Sequence, residues 1–306
     1  MTVDQATAAL LAQLAGSGLK PLMEMTPQEA RMVPTTNILV PGPQVARRYD
    51  SQVPTPDGSQ FRVRVLIPAG DITALVVYYH GGGWVIDDID TYDTVARTVA
   101  NQLHAAVVNV DYRRAPEHRY PTAVRDAWTA LQWAHERTAE IAGGHVPVIV
   151  MGDSAGGNLS AVVAQQARAA GGPTLAAQVL VYPVTDADLD NASYLDPANQ
   201  LMLSRDAMIW FWGHYAPDPA DRLRPDASPL RAESFAGLPP AIVLTAEHDP
   251  LRDEGAAYAE RLSEAGVPVT YRQLDGQMHG FFPLLGLLPG AEDAIAYIAA
   301  ELERLL

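Results

Sequence analysis

The 306-residue chain contains no cysteine, a single lysine (Lys20) and only 21 basic residues in all. The lack of cysteine excludes disulfide bonds and thiolate metal sites. The 36 acidic residues give a formal charge of −15, which argues against nucleic acid and anionic membranes as partners and mildly favours neutral substrates. No apolar run approaches the roughly 20 residues that a membrane-spanning helix needs, so we expect no membrane insertion.

The N-terminus lacks the features of a secretory signal, since it carries Asp4 and has no basic region ahead of its apolar residues. We therefore expect a cytoplasmic protein. The chain also lacks H-E-x-x-H, clustered histidines and carboxylates at ligand spacing, and the phosphate loop G-x-x-x-x-G-K-[ST]. The glycine run 81–83 is too short for a dinucleotide fingerprint, so we expect no metal and no cofactor.

Apolar residues make up 48% of the chain, and its length suits one large α/β domain with a cap. Short apolar segments alternate with helical stretches, which predicts a mostly parallel sheet with helices on both faces. The predicted strands are 60–68, 75–79, 105–110, 146–151, 178–182, 241–245 and 269–274. The predicted helices between and after them are 92–103, 122–137, 158–170, 255–265 and 291–306.

The predicted strand at 60–68 alternates apolar side chains with Arg62 and Arg64, which indicates an outer, half-exposed strand. The Asp-Gly pair just before it suits a hairpin bend. Upstream, residues 6–14 repeat apolar side chains at helical spacing, and Thr26 with Glu29 has the spacing of a capping box. Residues 40–43 are rich in proline and glycine, and we interpret them as a link to the core.

The sequence is organised around residues 148–158, VIVMGDSAGGN. An apolar β-branched segment leads into the G-D-S-A-G turn and then into a helical stretch, the context in which G-x-S-x-G raises a serine on a strained turn. Glycine is needed two positions before and after Ser154, because a Cβ at either position would clash with the neighbouring strand and helix. Ser154 is therefore the predicted nucleophile.

A second glycine motif, HGGGW, directly follows the predicted strand at 75–79. Consecutive glycines let backbone N–H groups face a cleft without interfering side chains. Such donors stabilise the negative oxygen that forms when an ester carbonyl is attacked. We expect the N–H of Gly81 or Gly82 to act together with that of Ala155, the residue after the serine.

Two further candidates follow predicted strands near the end of the chain. Asp249 lies after the strand at 241–245, and His279 lies after the strand at 269–274. The carboxyl ends of such strands are where open α/β sheets carry function. The chain order Ser154, Asp249, His279 is the one expected of α/β-hydrolases, and it differs from the orders of two common serine protease folds.

Five motifs in order resemble the bacterial hormone-sensitive lipase family of esterases, in its GDSAG subgroup. They are HGGGW, DYRRAPEHRYPTA, GDSAGGN, AEHDPLRDEG and MHGF, and the resemblance covers the chain from about Val45 onward. It implies an α/β-hydrolase fold under a helical cap, and a serine carboxylesterase that cleaves small, neutral, short- to medium-chain esters through an acyl-enzyme. The roles it implies are nucleophile for Ser154, base for His279, third triad member for Asp249, and oxyanion hole for Gly81, Gly82 and Ala155.

The resemblance also suggests how the chain is divided. The expected parts are N-terminal cap helices at 1–44, core at 45–185, a cap insertion at 186–229 and core again at 230–306. Family members often form dimers, so the resemblance suggests a homodimer as one assembly, while the sequence leaves the oligomeric state open. The insertion carries the aromatic residues Trp210, Phe211 and Trp212. Together with Trp84, these residues are interpreted either as the wall of a substrate pocket or as the contacts that hold the cap on the core.

Alternatives remain for several residues. Asp253 is the second candidate for the acid, and Asp153 is expected to support the site from beside the nucleophile. His80 is expected to hold the glycine loop in shape. Asp87 stands where the family often has glycine, and Arg114 where it usually has an apolar residue; the loop around Arg114 is expected to hold a structural ion-pair network.

Two other functions use the same fold. One is a ligand-binding receptor that has lost turnover, although such receptors typically lack the histidine that is present here. The other is an amidase or peptidase that uses the same triad.

Overall fold

The computed structural model describes residues 2–33 and 41–306. Eight strands of this part of the chain form a single sheet. The strands are β1 Arg47–Pro54, β2 Gln60–Ile67, β3 Ala74–Tyr79, β4 Ala105–Asp111, β5 Val148–Asp153, β6 Ala177–Val181, β7 Ala241–His248 and β8 Val269–Met278. Their order across the sheet is β1-β2-β4-β3-β5-β6-β7-β8. β2 runs opposite to the other seven strands, so its pairs with β1 and β4 are antiparallel and the remaining pairs are parallel. The predicted α/β-hydrolase fold is confirmed.

The α-helices alternate with the parallel strands and also occupy two other segments. They are α1 Gln5–Ala15, α2 Pro27–Arg31, α3 Asp93–Gln102, α4 Thr122–Glu136, α5 Thr138–Ala142, α6 Ala155–Ala170, α7 Ala192–Leu195, α8 Arg205–Tyr215, α9 Pro219–Arg222, α10 Arg252–Glu264 and α11 Pro289–Leu305. Successive side chains of a strand point to opposite faces. Val77 of β3 accordingly packs in the cluster that contains α4 and α6, whereas Val76 packs in the cluster that contains α3 and α11.

The prediction of an outer, half-exposed strand at 60–68 was wrong. β2 lies between β1 and β4, and β1 pairs with it in an antiparallel hairpin, as the Asp-Gly turn indicated. Arg64 is only 3% exposed, because its guanidinium binds Asp50 at 2.8 Å and Asp93 at 3.0 Å. The strand β1 escaped prediction because most of its side chains are polar or exposed.

Three short or medium helices, α7, α8 and α9, fall within residues 186–229, and α1 and α2 precede the first strand. The predicted capping box is present, because Thr26 Oγ1 accepts from the N–H of Glu29, whose carboxylate accepts from the N–H of Thr26. The Trp210 indole N–H donates to the carbonyl of Met25 at 3.2 Å, which joins α8 to the N-terminal segment. The predicted link at 40–43 lies partly outside the described residues.

The functional candidates meet at one edge of the sheet because their strands end there. β7 continues to His248 and β8 to Met278, so both are longer than predicted. Asp249 and His279 therefore each follow a strand directly, and Ser154 follows the end of β5. Neighbouring parallel strands have their carboxyl ends at the same edge, which brings three distant parts of the chain together.

Candidate active site

Ser154 lies on the sharp turn between β5 and α6, with a φ of 53° and a ψ of −117°. This is a strained conformation for a residue with a side chain, and it places the hydroxyl above the end of the sheet. The flanking glycines are required by contact distances. A Cβ at Gly156 would lie 1.8 Å from the carbonyl oxygen of Tyr79, and one at Gly152 would lie 2.4 Å from the backbone of Gly156.

The structure brings Ser154, His279 and Asp249 into one hydrogen-bonded row. The distance from His279 Nε2 to Ser154 Oγ is 3.0 Å, and that from His279 Nδ1 to Asp249 Oδ2 is 2.8 Å. Ser154 and His279 are 7% and 8% exposed, while Asp249 is fully buried. Asp249 also accepts the N–H of Leu251 at 2.8 Å, which fixes its carboxylate. The arrangement lets a hydroxyl proton pass to an imidazole whose far side faces a carboxylate.

Asp253, the second candidate for the acid, is used elsewhere. Its carboxylate accepts the N–H of Ser193 at 2.9 Å and binds Arg252 at 3.0 Å. Ser193 belongs to α7, so Asp253 ties this helix to α10. Among the two aspartates, only Asp249 contacts His279.

The glycine loop requires one correction. The N–H of Gly81 donates to Asp153 Oδ1 at 3.2 Å, so in this conformation Gly81 does not serve as an oxyanion donor. The N–H groups of Gly82 and Ala155 donate to no acceptor within residues 2–33 and 41–306. The same holds for Gly83, which the sequence did not single out. Two of the three predicted donors therefore remain available.

Asp153 holds the glycine loop through a buried hydrogen-bonded cluster. Besides Gly81, it accepts the hydroxyls of Tyr78 and Tyr92, each at 2.8 Å. The carboxyl is almost fully buried, and this burial raises its pKa to about 6 despite the tyrosine hydrogen bonds. Tyr78 and Tyr92 carried no signal in the sequence, because they lie 75 and 61 residues from Asp153 along the chain.

Replacing Asp153 with asparagine is expected to weaken the pH dependence of stability. Burial raises the pKa of this carboxyl from 3.8 to about 6, so the folded state keeps a proton that the unfolded chain has released between these values. The stability contributed by this group is present below about pH 4 and is lost as the pH rises to about 6. Raising the pH from 5 to 7 should therefore destabilise the Asp153→Asn variant by about 1 kcal/mol less than the wild type.

Urea unfolding at both pH values measures this difference. The control is Asp206→Asn, which removes a charge from an exposed position on α8 and should leave the pH dependence unchanged. An equal pH dependence in the Asp153→Asn variant and the wild type would contradict the prediction.

His80 helps to shape the loop, as expected. Its ring stacks on Tyr112 at a centroid distance of 4.3 Å, and the Tyr112 hydroxyl donates to the carbonyl of His80 at 2.9 Å. Burial lowers the pKa of His80 to about 4, so its imidazole is neutral at physiological pH. A neutral, stacked ring supports a structural role.

The aromatic residues split between the two interpretations. Trp84 and Trp212 are fully buried, and Trp84 stacks on Tyr215 at 4.2 Å, so both tryptophans hold α8 against the core and do not line an open pocket. Trp210 donates to the N-terminal segment instead. Phe211 differs, because its ring contacts Gly83 so closely that a Cβ there would lie 2.1 Å from it. Among the pocket candidates from the cap insertion, Phe211 is therefore the one whose ring is seen against the glycine loop.

The loop at 111–121 forms the ion pairs expected of it. Arg113 binds the buried Asp126 at 2.7 Å, and Arg31 of the N-terminal segment binds Glu117 at 2.7 Å. Arg114 reaches the loop that follows the glycines, where its guanidinium donates to the carbonyl of Asp87. Arg114 therefore makes a hydrogen bond at a position where an apolar residue would only pack against its neighbours.

The fold and the site together define a class: an α/β-hydrolase with a serine, a histidine and an aspartate in one hydrogen-bonded row. Comparison with known proteins agrees, because residues 76–283 match a family described by its alpha/beta hydrolase fold. The chain belongs to the hormone-sensitive-lipase-like branch of this family, and it is a serine carboxylesterase.

Named relatives and solved structures cover most of the chain. It is 43% identical to the carboxylesterase NlhH of Mycobacterium tuberculosis over 93% of this chain and 90% of that protein. It is 36% identical to an ethyl acetate hydrolase of Pseudomonas putida over 83% and 82% of the two chains. The hyperthermophilic esterase of Pyrobaculum calidifontis superimposes with a TM-score of 0.91 at 36% identity, over 100% of this chain and 99% of that one. None of the described helices is both long and apolar enough to cross a membrane.

Proposed function

We propose that Ser154 is the nucleophile, His279 the general base and Asp249 the residue that orients the base. The observation that carries this proposal is the hydrogen-bonded row from Ser154 Oγ through His279 to Asp249, with distances of 3.0 Å and 2.8 Å. Neutral His279 takes the hydroxyl proton as Ser154 attacks the ester carbonyl. Asp249 stabilises the imidazolium, which then protonates the leaving alcohol.

The tetrahedral oxyanion is stabilised by the N–H groups of Gly82 and Ala155, with Gly83 as a third donor. This assignment is supported by the absence of any other acceptor for these groups among the described residues. Donors of this kind act without reorganisation in a site that excludes water, and each contributes roughly 3 kcal/mol. Water then hydrolyses the acyl-enzyme by the same route, with His279 again as base.

The substrate that we propose is a small, neutral ester with a short to medium acyl chain. The low exposure of Ser154 and His279 supports a narrow approach to the reacting atoms. Phe211 packs against Gly83 and reduces the space beside the oxyanion loop. The formal charge of −15 disfavours anionic substrates over long distances, and one similar protein is named as an ethyl acetate hydrolase.

The division of the chain remains a proposal as well. We propose that residues 1–44 and 186–229 form the cap and that 45–185 and 230–306 form the core. The hydrogen bond between Trp210 and Met25 supports this, since it joins the two cap parts. Three further expectations stay predictions. Light scattering tests the homodimer, cell fractionation tests the cytoplasmic location, and filter binding tests the absence of nucleic acid partners.

An acyl-chain series of chromogenic esters tests the proposed substrate. We expect kcat/KM to be greatest for two to about eight acyl carbons and to fall for longer chains, because the buried site leaves little room for them. A matched amide of the best ester should react far more slowly. Rates that keep rising beyond about twelve carbons, or an amide that equals its ester, would contradict the substrate class.

A serine-reactive phosphonate tests the nucleophile independently of the substrate. We expect stoichiometric labelling that peptide mass spectrometry places on Ser154, whereas a receptor without turnover should not react there.

A further inference from the structure

The chain segment after the glycine loop folds back onto it. The N–H groups of Val85 and Ile86 both donate to the carbonyl of Gly82, at 3.0 Å and 2.9 Å, and this tight turn ends at Asp87. Asp87 has a φ of 60°, in the left-handed region that favours glycine but that aspartate and asparagine also adopt. Asp87 thus places a carboxylate at a backbone position whose conformation would suit glycine.

The turn brings the Asp87 carboxylate beside a proposed oxyanion donor. A methyl group built on Gly82 would lie only 2.9 Å from Asp87 Oδ2. Because the N–H of Gly82 is free to bind a substrate oxygen, any ester held there has its scissile carbonyl within several ångströms of this carboxylate. Its neighbours along the chain, Trp84, Val85 and Ile89, are fully buried, and Asp87 itself is half-buried.

No described residue neutralises this carboxylate directly. Neighbouring Asp88 accepts hydrogen bonds from Thr91 and lies 3.8 Å from Arg114, but the Asp87 carboxylate accepts no hydrogen bond and forms no ion pair in residues 2–33 and 41–306. Arg114 is the nearest cationic side chain, and its guanidinium donates to the Asp87 backbone carbonyl instead. No described protein group therefore uses the hydrogen-bonding capacity of the carboxylate.

We propose that Asp87 is a specificity-determining residue, whose unpaired carboxylate disfavours esters with a negative charge near the scissile carbonyl and favours esters with a cationic or hydrogen-bond-donating group there. The proposal rests on the esterase site described above and names its substrate class more narrowly. An anionic substrate would place two like charges close together in a site of low dielectric, whereas a cationic one would supply the missing partner.

The discrimination should increase with pH. Burial and the negative charges of Asp153 and Asp88 raise the pKa of Asp87, Arg114 opposes them, and together these effects place it at about 7. Since these are the charged groups that act on Asp87, its carboxyl is mostly neutral below that value and mostly ionised above it. Selection against anionic esters should therefore be weak at pH 6 and strong at pH 8.

The experiment compares three matched acyl groups on one chromogenic alcohol: pentanoate, hemisuccinate and a trimethylammonio-butyrate. A second set carries the same charges on the alcohol, so that either side of the carbonyl is probed. We expect Asp87→Asn to raise kcat/KM for the hemisuccinate, relative to pentanoate, by about tenfold or more at pH 8 and to lower the relative rate of the cationic ester. Asparagine keeps the shape and tolerates the left-handed backbone.

Two further variants separate charge from other effects. Asp87→Gly should show the same shift in relative rates, since glycine suits a φ of 60° and also removes the charge. Asp206→Asn removes an exposed charge from α8 and should leave the relative rates of all three esters unchanged.

Unchanged relative rates in both Asp87 variants, on both sets of esters, would overturn the proposal and leave the esterase mechanism intact. A uniform change in all esters would also overturn it, because that result indicates altered packing of the loop. Failure of the proposed function looks different: the wild type would then hydrolyse no neutral ester and would not be labelled at Ser154.

Discussion

The Ser154→Ala variant is expected to have a kcat about 10⁴- to 10⁶-fold lower than that of the wild type on a short-chain ester. Among the described residues, no other hydroxyl lies within hydrogen-bonding distance of His279 Nε2, which is 3.0 Å from Ser154 Oγ. The same turn also directs this hydroxyl towards the N–H groups of Gly82 and Ala155, which are free to stabilise an oxyanion. KM should change little, because the methyl group leaves the binding surface in place. Initial rates and the stoichiometry of the acyl-enzyme burst measure the effect.

The matched control is Ser160→Ala in α6, the helix that begins directly after Ser154. Ser160 is also buried, but its hydroxyl donates to the carbonyl of Gly156 at 2.9 Å and does not contact His279. This variant should keep kcat within about threefold of the wild type, since only a local hydrogen bond of about 1 kcal/mol is lost. If Ser154→Ala retained more than a hundredth of the wild-type kcat while folding normally, the assignment of the nucleophile would be wrong.

The Gly156→Ala variant is expected to lose at least 4 kcal/mol of unfolding free energy or to fail to fold. The added Cβ would lie 1.8 Å from the carbonyl oxygen of Tyr79 and 2.7 Å from that of His80. Neither oxygen moves easily, because Tyr79 ends β3, a central strand that is paired with β4 and β5. Urea unfolding followed by circular dichroism measures the loss.

Gly213→Ala provides the control for the intrinsic effect of adding a methyl group. Gly213 lies in helix α8 at an exposed position, and a Cβ there would have no neighbour within 4 Å. This variant should gain about 0.5–1 kcal/mol, since alanine favours the helix. A loss below 1 kcal/mol in the Gly156→Ala variant would mean that α6 and β3 separate more readily than these contacts indicate.

The strands of the core were predictable because they are buried on both faces. β3 is a continuous apolar run, and β5 and β7 each begin with four apolar residues, so they stand out in the sequence. The strand β1 was not found, because only Val53 among its residues is fully buried apolar and its pairing depends on the hairpin with β2. The true end of β8 was missed for a similar reason, since polar residues such as Asp275 and Gln277 continue the strand beyond its apolar part.

The roles of the aromatic residues depended on packing that composition does not encode. Trp84 and Trp212 come from distant parts of the chain and meet at a ring distance of 4.8 Å, which makes them interface residues. Phe211, adjacent to Trp212 in α8, points towards Gly83 instead. One residue along a helix changes the direction by about 100°, so neighbours in sequence serve different surfaces.

The sequence by itself determined the candidate catalytic residues, because the strained turn around Ser154 needs glycines at fixed spacing and because the carboxyl ends of parallel strands bring Asp249 and His279 to the same edge. Only the tertiary structure decided how the remaining polar groups are shared. The N–H of Gly81, a predicted oxyanion donor, is bonded in this conformation to Asp153, which lies 72 residues away. Such pairings depend on distances of a few tenths of an ångström between segments that the chain order leaves unrelated, and sequence spacing carries no information about them.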